Sequence, residues 1–268
     1  MDLSKLPTPA SKRLSVMQKP SNRRRRGCTF LSLTFLVAAG ASAQDSDALQ
    51  WSVTPYLWGS TTELDLNFRD ATISPSEISF KDLLGTLDAA FMVQGEVGSG
   101  HWSAFSDLTY LKTSDSGVRD QLNTDIDSTQ VFLDAAVAYW PQGFGSSLNV
   151  FGGLRHSDFD NEFGFTDINT DQPKRVRSTD KAYYDVLLGL RYQTPVSERW
   201  QLRTYADYAF GDSEGIFVLH GSFAYAFGKS RQNHALIGYQ YKEAEFSDGD
   251  LTNAFRYYGP VAGVEFSF

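Results

Sequence analysis

The chain has 268 residues, with 24 lysines and arginines against 32 acidic residues and a formal net charge of −8. That balance argues against nucleic acid as a partner, because phosphate binding needs a basic face. A single cysteine excludes a disulfide framework.

The first segment reads as a secretory signal peptide. Arg23, Arg24, Arg25 and Arg26 precede an apolar run from Cys28 to Ala39, and Ala41-Ser42-Ala43 supplies the small residues of an A-x-A cleavage site before Gln44. The run is shorter than the roughly 20 residues of a spanning helix. Cys28 precedes it, which does not fit lipoprotein processing. The stretch before Arg23 is long and polar, which makes Met17 a second candidate start. Loss of residues 1–43 removes eight basic residues, one acid and the only cysteine, leaving a net charge of −15 on residues 44–268. No later stretch reaches 18 consecutive apolar residues, which excludes a helical membrane protein.

From Leu49 onward the dominant period is two. In "LDAAFMVQGEV", Leu87, Ala89, Phe91, Val93, Gly95 and Val97 share one face, and Asp88, Gln94 and Glu96 lie on the other. The split recurs at 101–112, 128–140, 147–157, 181–194 and 199–210. With segments at 49–62, 216–227, 233–244 and 253–268, it predicts an all-β fold: an antiparallel transmembrane β-barrel of about ten strands, eight and twelve being the neighbouring counts. One domain, 44–268, follows the leader.

The connections alternate. Gly98-Ser99-Gly100, 141–146, 195–198 and 228–231 are short and rich in turn residues. Longer polar loops are expected around 63–85, 113–127 and 158–180. In the first, Ser74, Pro75 and Glu77 fit an N-cap, a first-turn proline and a capping-box acid, and Phe80, Leu83, Leu84 and Leu87 follow at helical spacing before Gly85 as a stop. A strand continuing past the membrane is the alternative.

Aromatic placement favours lipid on the apolar face. Trp102, Tyr139, Tyr192, Trp200, Phe227 and Phe268 sit near the short turns, and Tyr110, Tyr184, Tyr208 and Tyr241 sit nearer the loops, as two headgroup girdles require. The opposite face carries Glu96, Asp107, Asp134, Arg155, Asp185, Arg191, Arg203, Asp207 and Glu265, which are expected inside the barrel. Pairs such as Asp185 or Asp207 with Arg191 or Arg203 would offset the cost of burying them. Gly152, Gly153, Gly189 and Gly238 would relieve crowding or bend strands.

The ending "GPVAGVEFSF" places Pro260, Ala262, Val264, Phe266 and Phe268 on one face. It resembles the C-terminal strand of Gram-negative outer-membrane proteins, which is presented to the barrel assembly machinery; the resemblance implies an insertion signal at Val264, Phe266 and Phe268. "WSVTPYLWGS" and "FKDLLGTLDAAFMVQGEVGSGHWSAFSDLTYLK" resemble the opening of a group of proteobacterial outer-membrane barrels, broadly similar to the OmpA/OmpW-like small barrels. That resemblance implies a fold and a location in the cell outer membrane, and brings no catalytic residues.

His156, Ser157 and Asp158 have the residue types of a hydrolytic triad, but neighbours on a strand point to opposite faces. His101, His156, His220 and His234 lack paired metal-ligand spacing. Asp158, Asp160 and Glu162, and Asp248 with Asp250, suggest divalent-cation bridging to lipopolysaccharide phosphates, with a solvated acidic surface as the favoured reading. The expectation is therefore a non-enzymatic monomer without a cofactor, in contact with outer-membrane lipid and lipopolysaccharide. Its role is structural or loop-mediated interaction in the envelope; the alternatives are a narrow porin-like diffusion channel and a rim hydrolase of lipid or peptide.

Overall fold

Alternation from residue 50 onward produces strands that close on themselves. The structure, a computed structural model, describes residues 48–68, 71–119, 122–167, 175–248 and 251–268. The leader and its cleavage site lie outside the described residues. The elements are β1 (Gln50–Trp58), β2 (Thr61–Phe68), β3 (Ala71–Ile78), α1 (Phe80–Thr86), β4 (Leu87–Ser99), β5 (Trp102–Arg119), β6 (Leu122–Tyr139), β7 (Leu148–Asp167), β8 (Arg175–Pro195), β9 (Trp200–Gly211), β10 (Gly215–Phe227), β11 (Asn233–Asp248) and β12 (Leu251–Ser267).

Every ladder is antiparallel, and β4 to β12 pair in chain order. β1 pairs with β4 on one side and β12 on the other, closing a barrel of ten strands. β2 continues the line of β1 along β12, and β3 folds back on β2. Closure removes the sheet edges that a bilayer does not tolerate. The seam is completed at the C-terminus, where the backbones of Trp51 and Phe268 exchange hydrogen bonds of 3.1 and 2.8 Å.

The outer face is apolar and exposed: Val53 and Leu57 on β1, Phe91 on β4, Leu133 and Val137 on β6, Val150 and Leu154 on β7, and Leu188 and Leu190 on β8. Exposed Trp102, Tyr139, Tyr192 and Trp200 border it at the short turns, and Tyr184 and Tyr208 at the other end. Among the described residues no helix is long and apolar enough to cross a membrane.

Three expectations need correction. The segment 63–85 is the β2–β3 hairpin followed by α1, because alternation continues through Thr61–Phe68. The helix starts five residues later than the Ser74 cap predicts. Ser79 caps it, accepting from the Asp82 amide at 3.3 Å and donating to the Asp82 carboxylate at 2.6 Å. Ser74, Pro75 and Glu77 lie in β3, and Gly85 sits inside the helix. Most of 113–127 and 158–167 is strand, which makes β5 to β8 18 to 21 residues long against 12 for β9 and 13 for β10. Asp158, Asp160 and Glu162 therefore lie in β7. Asp250 lies outside the described residues.

Candidate functional site: a charged lumen

Strand register sets the inward charges in a row. Asp107 on β5 faces Asp134 on β6, Asp134 faces Arg155 on β7, and Arg155 faces Asp185 on β8. Two carboxylates placed side by side repel, and Arg155 offsets this. Its Nε and Nη2 donate to the two oxygens of Asp134 at 2.8 and 2.7 Å, and its Nη1 donates to Asp207 on β9 at 2.9 Å. Asp107 is held by a neutral partner instead, accepting from the Tyr56 hydroxyl at 2.7 Å. Asp185, fully buried, accepts from the Ser213 amide at 2.9 Å, and its second oxygen has no partner.

Two further ion pairs are chords of the barrel. Arg191 on β8 reaches Glu96 on β4, four strands away, at 3.1 Å. Its guanidinium carbon also lies 3.7 Å from the Phe105 ring centroid, a cation–π contact strengthened by desolvation. Arg203 on β9 binds Glu265 on β12 through two nitrogens at 2.8 and 3.0 Å, and His234 Nδ1 lies 2.8 Å from the same carboxylate. The register thus gives Arg191 and Arg203 the partners Glu96 and Glu265, in place of the Asp185 and Asp207 suggested by sequence. All nine inward charges lie on strands of the closed barrel, but they form separate groups along its axis.

Both mouths are narrowed. Toward the long hairpins, Phe159 packs against Phe132, Phe246, Tyr183 and Phe255 with centroids 5.4 to 6.4 Å apart. The Lys242 ammonium, also buried, lies 3.4 Å from the Phe132 centroid and ties this aromatic layer to the charges beneath. Toward the short turns, Trp140 Nε1 donates to Ser103 at 2.9 Å, Ser103 donates to Glu96 at 2.6 Å, and Phe144 seats its ring on Gly98.

Between these layers lie two small cavities of about 60 and 80 Å³ that share Tyr56, Gln94, Asp107, Tyr205 and Gln240. Tyr205 donates to Gln240 at 2.8 Å and stacks on His220 at 4.8 Å. Tyr56, Tyr205, Gln240 and Lys242 were missing from the sequence-derived site. The signal was present for the last two, since Gln240 and Lys242 alternate with Tyr239 and Tyr241.

The residue types of a triad do not converge. His156 stacks on Tyr184 on the outer face, with Nε2 3.9 Å from Asp158, while Ser157 is fully buried on the inner face. Among the described residues no group of three or more histidine or acidic side chains is arranged to hold a metal ion.

No family model matches the chain, and neither does any curated protein. Solved structures do. The outer-membrane protease OmpT of Escherichia coli superposes with a TM-score of 0.51 at 8% identity, over 85% of this chain and 99% of that one. The fold is that of an outer-membrane β-barrel. The translocator domain of the autotransporter NalP from Neisseria meningitidis gives a TM-score of 0.42 at 14% identity, over 81% and 90% of the two chains. Ail, the attachment invasion locus protein of Yersinia pestis, gives 0.38 at 8% identity, over 82% and 99%.

Proposed function

We propose that this barrel is an integral outer-membrane protein of a Gram-negative envelope that conducts no ions along its axis and acts through its protruding hairpins β5–β6 and β7–β8. The observation that carries this is the set of chords across the lumen, Arg191–Glu96 and Arg203–Glu265, with Arg155 clamped between Asp134 and Asp207. Opening a path means breaking desolvated ion pairs, and removing one partner of such a pair costs about 3–5 kcal/mol. Ten strands also lie near the eight whose interior is filled by side chains, far from the sixteen that leave a channel. The separation of His156 from Ser157 removes the triad that those residue types suggested.

The test is single-channel recording of refolded residues 44–268 in a planar bilayer. Folded protein is expected to give no steps. Reproducible steps that change when Arg191 or Arg203 is replaced would establish the narrow-channel reading instead.

A further inference from the structure

Asp185 is the inward carboxylate with the fewest partners. The ladder sets it opposite Arg155, but all three guanidinium nitrogens of Arg155 are engaged with Asp134 and Asp207. Lys242, the other buried cation, lies over the Phe132 ring. Asp185 is 1% exposed, and the next positions along the same face are the buried apolar residues Leu187, Ala209 and Ile216. A backbone amide holds one of its oxygens, that of Ser213 at 2.9 Å, and Oδ2 has no partner among the described residues. A carboxylate taken out of water in this way needs a counter-charge.

Two buried hydroxyls stand beside it. Ser157, fully buried on the inner face, is opposite Tyr183 and therefore diagonal to Asp185, where such neighbours lie about 7–8 Å apart. Ser213 is the residue whose amide already touches the carboxylate. Neither hydroxyl has a partner among the described residues, and neither donates to the open Oδ2. Adjacent oxygens that stop short of bonding one another are spaced as ligands of a common ion. The turn 212–214 is fastened over them, with the Asp212 amide donating to the Tyr184 carbonyl at 3.2 Å and the Tyr184 amide to the Asp212 carboxylate at 3.1 Å. Gly211 permits this approach, since a Cβ there would lie 2.7 Å from the Tyr184 carbonyl oxygen.

We infer that Asp185, Ser157 and Ser213 form a buried site for one monovalent cation of sodium's size, which ties β7, β8 and the β9–β10 turn together. One carboxylate balances one positive charge. Calcium takes 6–8 oxygens, several of them from carboxylates, and here its second charge would face Arg155 uncompensated. The site is separate from the Arg191–Glu96 and Arg203–Glu265 chords and does not depend on whether the lumen conducts.

The test is a sodium chloride titration of the barrel folded in zwitterionic micelles, with ionic strength held by N-methyl-D-glucamine chloride, whose cation is too large for the site. The Ser213 amide resonance should shift saturably. The unfolding temperature should rise by about 3–5 °C for each tenfold increase in sodium beyond half-saturation. Asp185→Asn should abolish both responses. Should that variant misfold, Ser157→Ala keeps the carboxylate and should raise the half-saturating sodium concentration several-fold. A Ser213 amide indifferent to sodium, or a response unchanged in folded Asp185→Asn or in Ser157→Ala, would leave only a buried water or proton at Asp185 and overturn the site. Saturation by calcium chloride at a lower concentration than sodium would overturn its monovalent character.

Discussion

Replacing Arg155 by alanine leaves Asp134 and Asp207 without their cation, and Asp107 beside Asp134 without relief. The variant should lose about 3–5 kcal/mol, read as a lower urea midpoint for the folded barrel. The triple variant Arg155→Met, Asp134→Asn, Asp207→Asn should recover most of it, because the charge and its partners are removed together. That Arg155, Asp134 and Asp207 point inward was legible from the period of two. Their pairing was not, because it depends on how far each strand is staggered, and stagger is set by ladder register between distant segments. In the half of β7 that runs toward the tall hairpins, Asp158 lies two residues past His156, which stacks on the Tyr184 ring bordering the apolar band, and near Asp180 and Asp160. Burial, then the Asp180 charge, with Asp160 adding, raise its pKa, and His156 opposes them. A carboxyl raised on folding stabilises the fold when protonated, and this contribution is lost as pH rises through its folded value. A carboxyl-carbon NMR titration should place Asp158 above the ordinary aspartate range, and Asp180→Asn should bring it down.

At the scale of the strand, the glycines of β7 and β8 make room for the lumen contents. A Cβ on Gly189 would lie 2.2 Å from the end of the Phe151 ring and 2.8 Å from the Ala206 carbonyl. Phe151 is one wall of the Arg191 slot, at 5.2 Å from its guanidinium carbon. Gly189→Ala should therefore overpack the site by about 1–3 kcal/mol and loosen the Arg191–Glu96 chord. The measurement is the unfolding midpoint of Gly189→Ala alone and with Phe151→Leu, which should restore part of the loss. Strand positions were read well wherever one face is apolar. They failed at 63–85, 113–127 and 158–167, where the strands run on past the apolar band and polar or charged residues such as Glu63, Asp65, Asp115, Asp125, Asp160 and Glu162 give the sequence a loop-like composition, although ladder pairing continues. The helix was placed too early because Ser74-Pro75 carries cap chemistry inside an edge strand, whereas Ser79 stands directly before the apolar spacing of Phe80, Leu83, Leu84 and Leu87.

The barrel is asymmetric along its axis. Short turns lie at one end, and at the other β5 to β8 outrun β9 and β10 by at least five residues. In a barrel whose extracellular loops are the longer ones, the tall hairpins face the medium and the turn carrying Gln142 faces the periplasm. The only native cysteine is Cys28, and the chain without an introduced cysteine is the control for its labelling. Asp115→Cys and Asp180→Cys should react with a membrane-impermeant maleimide on intact cells, and Gln142→Cys only after the outer membrane is permeabilised. The reverse pattern would turn the barrel over and place the hairpins, on which an envelope interaction role rests, in the periplasm. Equal labelling of all three before permeabilisation would mean that the chain does not span the outer membrane, and the exposed apolar belt would then need a different solvent.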